Sequence, residues 1–536
     1  MDSTRVRDEA GRRRTIAVIS HPDAGKSTLT ESLLLHAHAV GEAGAVHGKA
    51  TRTSTVSDWM EIEKSRGISI SSAAVQFTTG DVVVNLVDTP GHADFSEDTY
   101  RVLSAVDAAI MLIDASKGME SQTLRLFDVC AQRDLPIIVM INKWDRPGLD
   151  PLALLDELFR ITGRKPMPVN WPVGPAGYFQ GLRESETGDL LIFDTDGSGA
   201  HLPLVHRVPD PVAADQLGDD WRTAVEEAEL VALDGGEFDP NRHLDRTGMP
   251  VLFGAAVRHI GVGELLTFIR EYAPAASPRK AVDERLHPVD SGFSAQVFKV
   301  QASMDPAHRD RVAFARVCSG MFTRGMTATH AQSGRSLTTK YALQVFGRDR
   351  ETVDIAWPGD IVGLVNAQLL HPGDTLYSAD PVEYEALPPF TPALFALVSP
   401  AESGAVKKFR KGLVQLAEEG VVQLLSSERR GPQAPILGAV GQMQFEVFSA
   451  RMHTDFGVDV RLTHLPYTVA VAVDTATAQF LQDRRDCEIA TRREGSLALF
   501  ADEWKLRALQ RDHPELPIRT PRDTPGPRAR AERRAS

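Results

Sequence analysis

A segment near the N-terminus has the residue types and spacing needed to hold a polyphosphate. Residues 15–30 read Thr-Ile-Ala-Val-Ile-Ser-His-Pro-Asp-Ala-Gly-Lys-Ser-Thr-Leu-Thr. The apolar run Ile16 to Ile19 predicts a buried strand. Ser20, His21, Pro22, Asp23 and Ala24 form a short loop that runs into Gly25, Lys26, Ser27 and Thr28, and Leu29 to His36 predicts an amphipathic helix. Strand, loop and helix in that order let backbone N–H groups converge on phosphate oxygens. Gly25 allows close backbone approach because it has no Cβ. Lys26 brings a mobile point charge to the β- and γ-phosphates, and Ser27 offers a hydroxyl to Mg²⁺. The first position of the usual glycine pattern holds Ser20.

Further polar elements follow apolar runs downstream. Asp81 to Val87 predicts a strand that ends in Asp88-Thr89-Pro90-Gly91-His92. Asp88 at such a strand end can hold Mg²⁺ through water, and Gly91 can give its N–H to a γ-phosphate. A strand over Ala108 to Asp114 comes next. Another, Pro136 to Ile141, ends in Asn142-Lys143-Trp144-Asp145. A carboxylate there can accept from both N1–H and the exocyclic amine of guanine. Adenine lacks that donor pair and would leave the carboxylate unpaired, which is costly. Lys143 can lie along the base and Asn142 can tie the loops together. A strand over Pro250 to Phe253 leads into Gly254-Ala255-Ala256, a place suited to backbone contact with the guanine oxygen. Strand ends in this order put their ligands at the carboxyl edge of one parallel sheet. Together they read as a guanine-nucleotide site, and Asp145 argues against an adenine-nucleotide motor. Between loop and strand, Asp58 to Ile70 suits a switch that orders around γ-phosphate and Mg²⁺. Ser69 is its candidate metal hydroxyl, with Arg66-Gly67 beside it.

Composition bounds the rest. At 536 residues, the chain has room for three or four domains. With 42% hydrophobic and 24% charged residues it reads as globular, not disordered or collagenous. No apolar run approaches the length of a membrane span, and the N-terminal arginines precede no long apolar stretch, so neither membrane anchorage nor a signal peptide is expected. Three separated cysteines, Cys130, Cys318 and Cys487, suit a reducing compartment. The net charge is −13, which excludes a uniformly basic nucleic-acid binder. Its location sharpens this. Residues 184–245 carry 16 acids and three arginines, a net −13 equal to that of the whole chain. The acidity therefore sits in one block, between Asp145 and Ala255, and reads as an insertion facing solvent or a basic protein rather than RNA. The tail from Arg519 holds six arginines and two acids and reads as disordered.

The motifs together resemble translational GTPases: His92 directly follows Asp-Thr-Pro-Gly, and Arg-Gly-Ile-Ser-Ile stands in the switch. More narrowly, they resemble the bacterial peptide chain release factor 3 family. The marks are Ser20 to Lys26, Ser57-Asp-Trp-Met60, Asp94 to Tyr100, Trp171-Pro-Val-Gly174, Met304 to Phe314, Lys411 to Gly420 and Gly438 to Gly441. Ser20 and Ser69 are expected in that family. Trp144 stands where a smaller aliphatic is usual, and Ala255 where a hydroxyl is usual. The resemblance implies a cytoplasmic, monomeric, ribosome-stimulated GTPase of translation termination that binds GTP/GDP with Mg²⁺. Its nucleotide contacts are Ser20 to Thr28, Asp88 to His92, Asn142 to Asp145, Ala255 and Ala256; Ser27, Ser69 and Asp88 (through water) serve the metal, and His92 orients the attacking water. It further implies contact with ribosomal RNA and proteins and ejection of codon-reading class I release factors. It implies neither membrane nor DNA binding, and no reading of stop codons.

The implied architecture is an α/β P-loop GTPase domain with a parallel-rich sheet over 1–280, its acidic insert at about 165–247. A β-barrel domain over 281–388 follows, announced by short β-rich runs at Phe293 to Val300, Val312 to Ser319 and Ile361 to Leu364. A small α/β, ferredoxin-like domain covers 389–516 and a basic tail 517–536. Residues 277–290 read as a linker. Lys407 to Glu419 has near-helical apolar spacing, with Lys407, Lys408, Arg410 and Lys411 at its start as a candidate ribosome contact. A translocase or drug-protection factor would need further domains that the residues after Leu516 are too few to supply. Two other rivals, a nucleotide-regulated binding protein without hydrolysis and a membrane-associated GTPase, are disfavoured by His92 and by the lack of an anchor.

Overall fold

The computed structural model describes residues 2–37, 63, 69–195, 201–302, 311–346, 349–365, 367–385, 390–493 and 495–518. Ser57 to Met60, the switch segment apart from Glu63, Ser69 and Ile70, the first part of Met304 to Phe314, and the tail beyond 518 lie outside the described residues. Two compact units are distinguished. The first comprises Met1–His92, Thr99–Lys299 and Val312–Ala386; the second comprises Ala93–Asp98, Val300–Arg311 and Leu387–Ser536.

The first unit is built on a seven-stranded sheet. In chain order its strands are β1 (Arg13–Ser20), β2 (Ala73–Thr79), β3 (Val82–Asp88), β4 (Ala108–Asp114), β5 (Ile137–Asn142), β6 (Lys165–Pro168) and, after the insert, β11 (Gly248–Phe253). Their spatial order is β2-β3-β1-β4-β5-β11-β6. The inner pairings are all parallel, and only the edge strand β2 runs antiparallel, against β3. β4 and β5 are buried along their whole length, which is why they read as unbroken apolar runs rather than alternating ones. Helices α1 (Lys26–His36), α2 (Ser121–Gln132), α3 (Pro151–Thr162) and α5 (Val262–Tyr272) accompany the strands. Leu33 and Leu34 of α1 and Leu265 and Phe268 of α5 join Val84, Ile110 and Met140 in one core.

The acidic insert has its own framework. β7 (Asn170–Val173), β8 (Gly181–Glu184), β9 (Leu190–Asp194) and β10 (Leu204–Val208) form an antiparallel meander. Two helices follow, Asp210–Leu217 and α4 (Asp219–Val231). β6, at the start of the predicted insert, belongs to the central sheet instead, paired with β11.

Residues 277–290 are more ordered than a linker: Arg279–Lys280 pairs antiparallel with Leu286–His287. The predicted β-rich region forms an eight-stranded sheet that includes Ser294–Ala302, Arg311–Ser319 and Ile361–Val365. Within the same unit the first residues of β1 meet this region. Thr15 Oγ1 donates to Gly359 O at 2.7 Å, and Arg13 Nε pairs with Asp360 Oδ2 at 2.8 Å.

In the second unit Leu394–Pro400, helix Val406–Glu418, Gln423–Leu425, Ile436–Ala439, helix Gln442–Phe456 and Val460–His464 follow one another as β-α-β-β-α-β. The first strand lies in the sheet between the third and fourth, the ferredoxin-like arrangement. Phe409, Leu413 and Leu416 of one helix pack with Phe445, Phe448 and Met452 of the other. Lys407, Lys408, Arg410 and Lys411 are exposed on the opposite side. A second sheet of three strands, Val469–Val473, Cys487–Arg492 and Gly495–Phe500, completes the unit. A bidentate pair joins the two parts, Arg430 to Glu488, with both contacts at 2.7 Å.

Candidate functional site

All four polar elements stand at the carboxyl ends of β1, β3, β5 and β11, along one edge of the central sheet. Gly25 caps α1 with φ 100°, a left-handed backbone that favours glycine. A Cβ there would lie 2.6 Å from Asn142 Nδ2. Ser20 gives the missing glycine a physical reading. Its Oγ donates to His21 O at 2.6 Å and accepts from Lys26 Nζ at 3.0 Å, so the hydroxyl holds the lysine inside the loop. His21 is buried against Glu120, Nδ1 to Oε2 2.5 Å. Burial pulls its pKa below the ordinary imidazole value, against the opposing pull of that carboxylate. Pro22 is half-buried, Asp23 is exposed with φ 65°, Ala24 is buried, and Ser27 and Thr28 are half-buried in the first turn of α1.

Asp88 is the last residue of β3, in register with Val18 of β1, and is almost wholly buried. The Thr89 hydroxyl donates to Val18 O at 2.7 Å and fixes the turn that follows. Pro90 and Gly91 are buried, and a Cβ on Gly91 would collide with Lys26 Nζ. The Asp88–Gly91 turn and the Lys26 loop therefore lie directly against each other. His92 is half-buried at the end of this turn. Ser69 is half-exposed; just after it, Glu63 Oε1 accepts from Ile70 N at 3.0 Å and from Ser71 N at 3.1 Å.

The elements expected from sequence to face the base are tied by amides. Asn142 Nδ2 donates to Ala24 O at 2.8 Å, and Oδ1 accepts from Ala256 N at 2.9 Å, so one side chain joins three loops. Lys143 has φ 68°, a left-handed conformation that costs a non-glycine residue roughly 1–2 kcal/mol. Two neighbours hold it there. Its Nζ donates to Asp114 Oδ2 at 2.8 Å, and Trp144 is 1% exposed. The Trp144 ring meets Phe253 edge-to-face at 5.1 Å, and its Nε1 makes a long hydrogen bond of 3.5 Å to Gly174 O. The bulky residue at this position thus has a built socket. Asp145 Oδ1 is buried with no hydrogen-bond partner, while Oδ2 lies 3.8 Å from the guanidinium of Arg258. A buried carboxylate oxygen left without a donor is costly unless a ligand supplies one.

The loop after β11 differs in one detail from the simplest reading of the sequence. Both alanine N–H groups are spent inside the protein: Ala255 N donates to Ile260 O at 3.0 Å, and Ala256 N donates to Asn142 Oδ1. The next backbone donor is the N–H of Val257, at an exposed position.

Sequence reasoning passed over Asp114 as a functional residue and passed over Asn170. Asp114 ends β4 as Asp88 ends β3, and that parallel placement was its available signal. Burial pushes its carboxyl up, but hydrogen bonds from Lys143 and Ser116 outweigh this and bring the pKa to about 2. The Asp114 carboxyl is therefore ionised throughout the neutral range. Among the described residues no cluster of three or more His, Cys, Asp or Glu side chains could hold a metal, and no helix is long and apolar enough to cross a membrane. The donors gathered here, the Ser27 hydroxyl and the Asp88 carboxylate, are hard oxygens of the kind Mg²⁺ prefers when phosphates and water complete its shell.

Three families match successive parts of the chain. These are the Elongation factor Tu GTP binding domain over residues 11–275, Elongation factor G domain 2 over 292–379, and the Class II release factor RF3, C-terminal domain, over 384–510. A relative from Symbiobacterium thermophilum is 44% identical over 527 residues, covering 97% of this chain and 99% of its own. One from Microcystis aeruginosa is 43% identical (95% of this chain, 94% of its own), and one from Synechococcus elongatus 42% (96% and 94%). All three carry the name peptide chain release factor 3. A crystal structure of a Thermus thermophilus protein, 24% identical, superposes with TM-score 0.68 over 85% of this chain and 69% of that one, a likeness of fold. The chain belongs to the peptide chain release factor 3 family of translational GTPases.

Proposed function

We propose that this GTPase acts after peptide release: in its GTP-bound form it binds a terminated ribosome, promotes dissociation of the class I release factor, then hydrolyses GTP and leaves. The observation that carries the guanine reading is the buried, unpartnered Oδ1 of Asp145 just past the end of β5, on the sheet edge where β1 leads into the lysine-bearing loop. An acceptor so placed is complementary to the N1–H and exocyclic amine of guanine.

The residues divide the chemistry among them. Ser20 to Thr28 and Gly91 cradle the phosphates with backbone N–H groups, and Lys26 balances charge that develops on the γ-phosphoryl oxygens. Ser27, Ser69 and Asp88, the last through water, would hold Mg²⁺, which when bound neutralises charge shared by the β- and γ-phosphates. His92 orients the attacking water for in-line displacement. Asn142, Lys143, Trp144 and Asp145 read the base, with Ala255 and Ala256 lining it and Val257 N–H reaching the 6-oxo group. The switch residues couple γ-phosphate loss to domain orientation. The acidic block between β7 and β11 faces a basic ribosomal protein, and the exposed Lys407–Lys411 cluster faces ribosomal RNA or protein. The factor works as a cytoplasmic monomer and reads no stop codon.

The test is GTP turnover with and without terminated ribosomes, at fixed Mg²⁺. Turnover is expected to rise at least about a hundredfold with ribosomes and to vanish when Mg²⁺ is chelated and replaced by monovalent salt. Equal turnover with and without ribosomes contradicts the proposal.

A further inference from the structure

Asn170, the first residue of β7, is 1% exposed and clamps the backbone of Phe253 in both directions. Its Oδ1 accepts from Phe253 N at 2.7 Å, and its Nδ2 donates to Phe253 O at 3.2 Å. Phe253 ends β11, and the Gly254–Val257 loop begins directly after it. A backbone N–H and C=O on one residue can both be met only by a side chain that offers one acceptor and one donor, so the amide is oriented by what it binds. Asn142 holds the same loop from the other side, through Ala256 N. The base-facing loop is thus strung between two asparagine amides, one from the base-reading element and one from the acidic insert.

The next residue adds to the grip. Trp171 is fully buried and meets the Phe253 ring at 5.5 Å and 65°, and its Nε1 donates to Glu227 Oε2 at 3.1 Å. Glu227 lies on α4 of the insert. Burial raises its carboxyl above the ordinary value, with the Trp171 hydrogen bond pulling the other way. The insert therefore holds Phe253 by its backbone and by its ring, and neither contact involves a residue read from sequence as touching nucleotide.

We propose that Asn170 is a positioning residue for guanine recognition, through which the acidic insert fixes the Gly254–Val257 loop against the 6-oxo group of the base. This rests on the guanine-site reading above. A clamp lost at Phe253 leaves two buried backbone groups unpaired, and the strand end shifts to recover them. The contact to the base oxygen weakens first, while the phosphate loop and Asp145 stay in place.

The experiment uses the full chain with Asn170→Ala and the near-isosteric Asn170→Asp, which keeps the acceptor for Phe253 N and sets a carboxylate oxygen against Phe253 O. Two diphosphates are compared by fluorescence-monitored binding and dissociation: GDP, and that of 2-aminopurine riboside, which keeps the exocyclic amine and lacks the 6-oxo group together with N1–H, so each variant is compared with the parent for the same nucleotide. GDP is expected to dissociate at least tenfold faster and to bind at least tenfold more weakly, while the analogue weakens less than threefold. A general loosening of the fold would weaken both alike, and that result overturns the proposal. GDP kinetics within twofold of the parent in either folded variant overturn it as well. If Asn170→Ala fails to fold, Asn170→Asp decides. A parent chain that does not bind GDP removes the guanine-site reading, and this proposal with it.

Discussion

Asp145→Asn will turn a guanine site into a xanthine site. GDP affinity should fall at least about a hundredfold, close to 2.7 kcal/mol at 1.36 kcal/mol per decade, and the xanthosine diphosphate should bind more tightly than GDP. The reason lies in the donors. Guanine presents N1–H and an amine to the carboxylate; the asparagine amide would set its own N–H₂ against that amine. Xanthine replaces the amine with an oxygen, which the amide can meet. Because Asp145 Oδ1 makes no hydrogen bond within the protein, the substitution removes no internal partner there. The Arg258 contact at 3.8 Å involves a half-exposed guanidinium and contributes little. Thermal unfolding without nucleotide should therefore move by less than about 1 kcal/mol, which separates recognition from folding. A variant that still prefers GDP over the xanthosine diphosphate would make Asp145 a solvated loop carboxylate.

His92→Ala should lower the single-turnover rate of ribosome-stimulated GTP hydrolysis by about 10²–10⁴-fold, the range for losing a positioned group that handles the attacking nucleophile. His92 follows Gly91, whose Cα borders Lys26, so its imidazole starts one residue from the phosphate cradle. His92→Gln should recover part of the loss, since an amide can also orient water. A rate for His92→Ala within threefold of the parent would assign the water to another residue.

Much of this site was legible in the sequence because each element needs few neighbours to be recognised. The strand over Ala108 to Asp114 matched its observed bounds, since a strand buried on both faces is an uninterrupted apolar run. Gly25, Lys26, Asp88 and Asp145 were singled out because phosphate and base chemistry admit few residue types at those places, and the structure sets them at strand ends along one edge of the sheet. The edge strand β2 was harder. Its residues alternate only loosely between buried and half-buried, and its antiparallel pairing depends on β3. The second small sheet, from Val469 to Phe500, was merged with its neighbour because nothing in a pair of short apolar runs announces a separate sheet. The Ala255 and Ala256 N–H groups were read as base contacts. The structure spends them on Ile260 and Asn142, partners set by tertiary packing rather than by spacing. Asn170 was invisible for the same reason: its partner lies 83 residues away. Trp144 and Ser20, departures from generic patterns, proved to have sockets and partners of their own.

The central claim is tested most directly by following a fluorescent class I release factor on terminated ribosomes after adding this protein with GTP, with GDP, or with a non-hydrolysable GTP analogue. The account predicts that GTP and the analogue both accelerate dissociation of the release factor at least about tenfold over GDP, since ordering of the switch drives the ejection. It further predicts that only GTP lets this protein leave in turn. Release-factor dissociation that is the same in all three nucleotide conditions would contradict it.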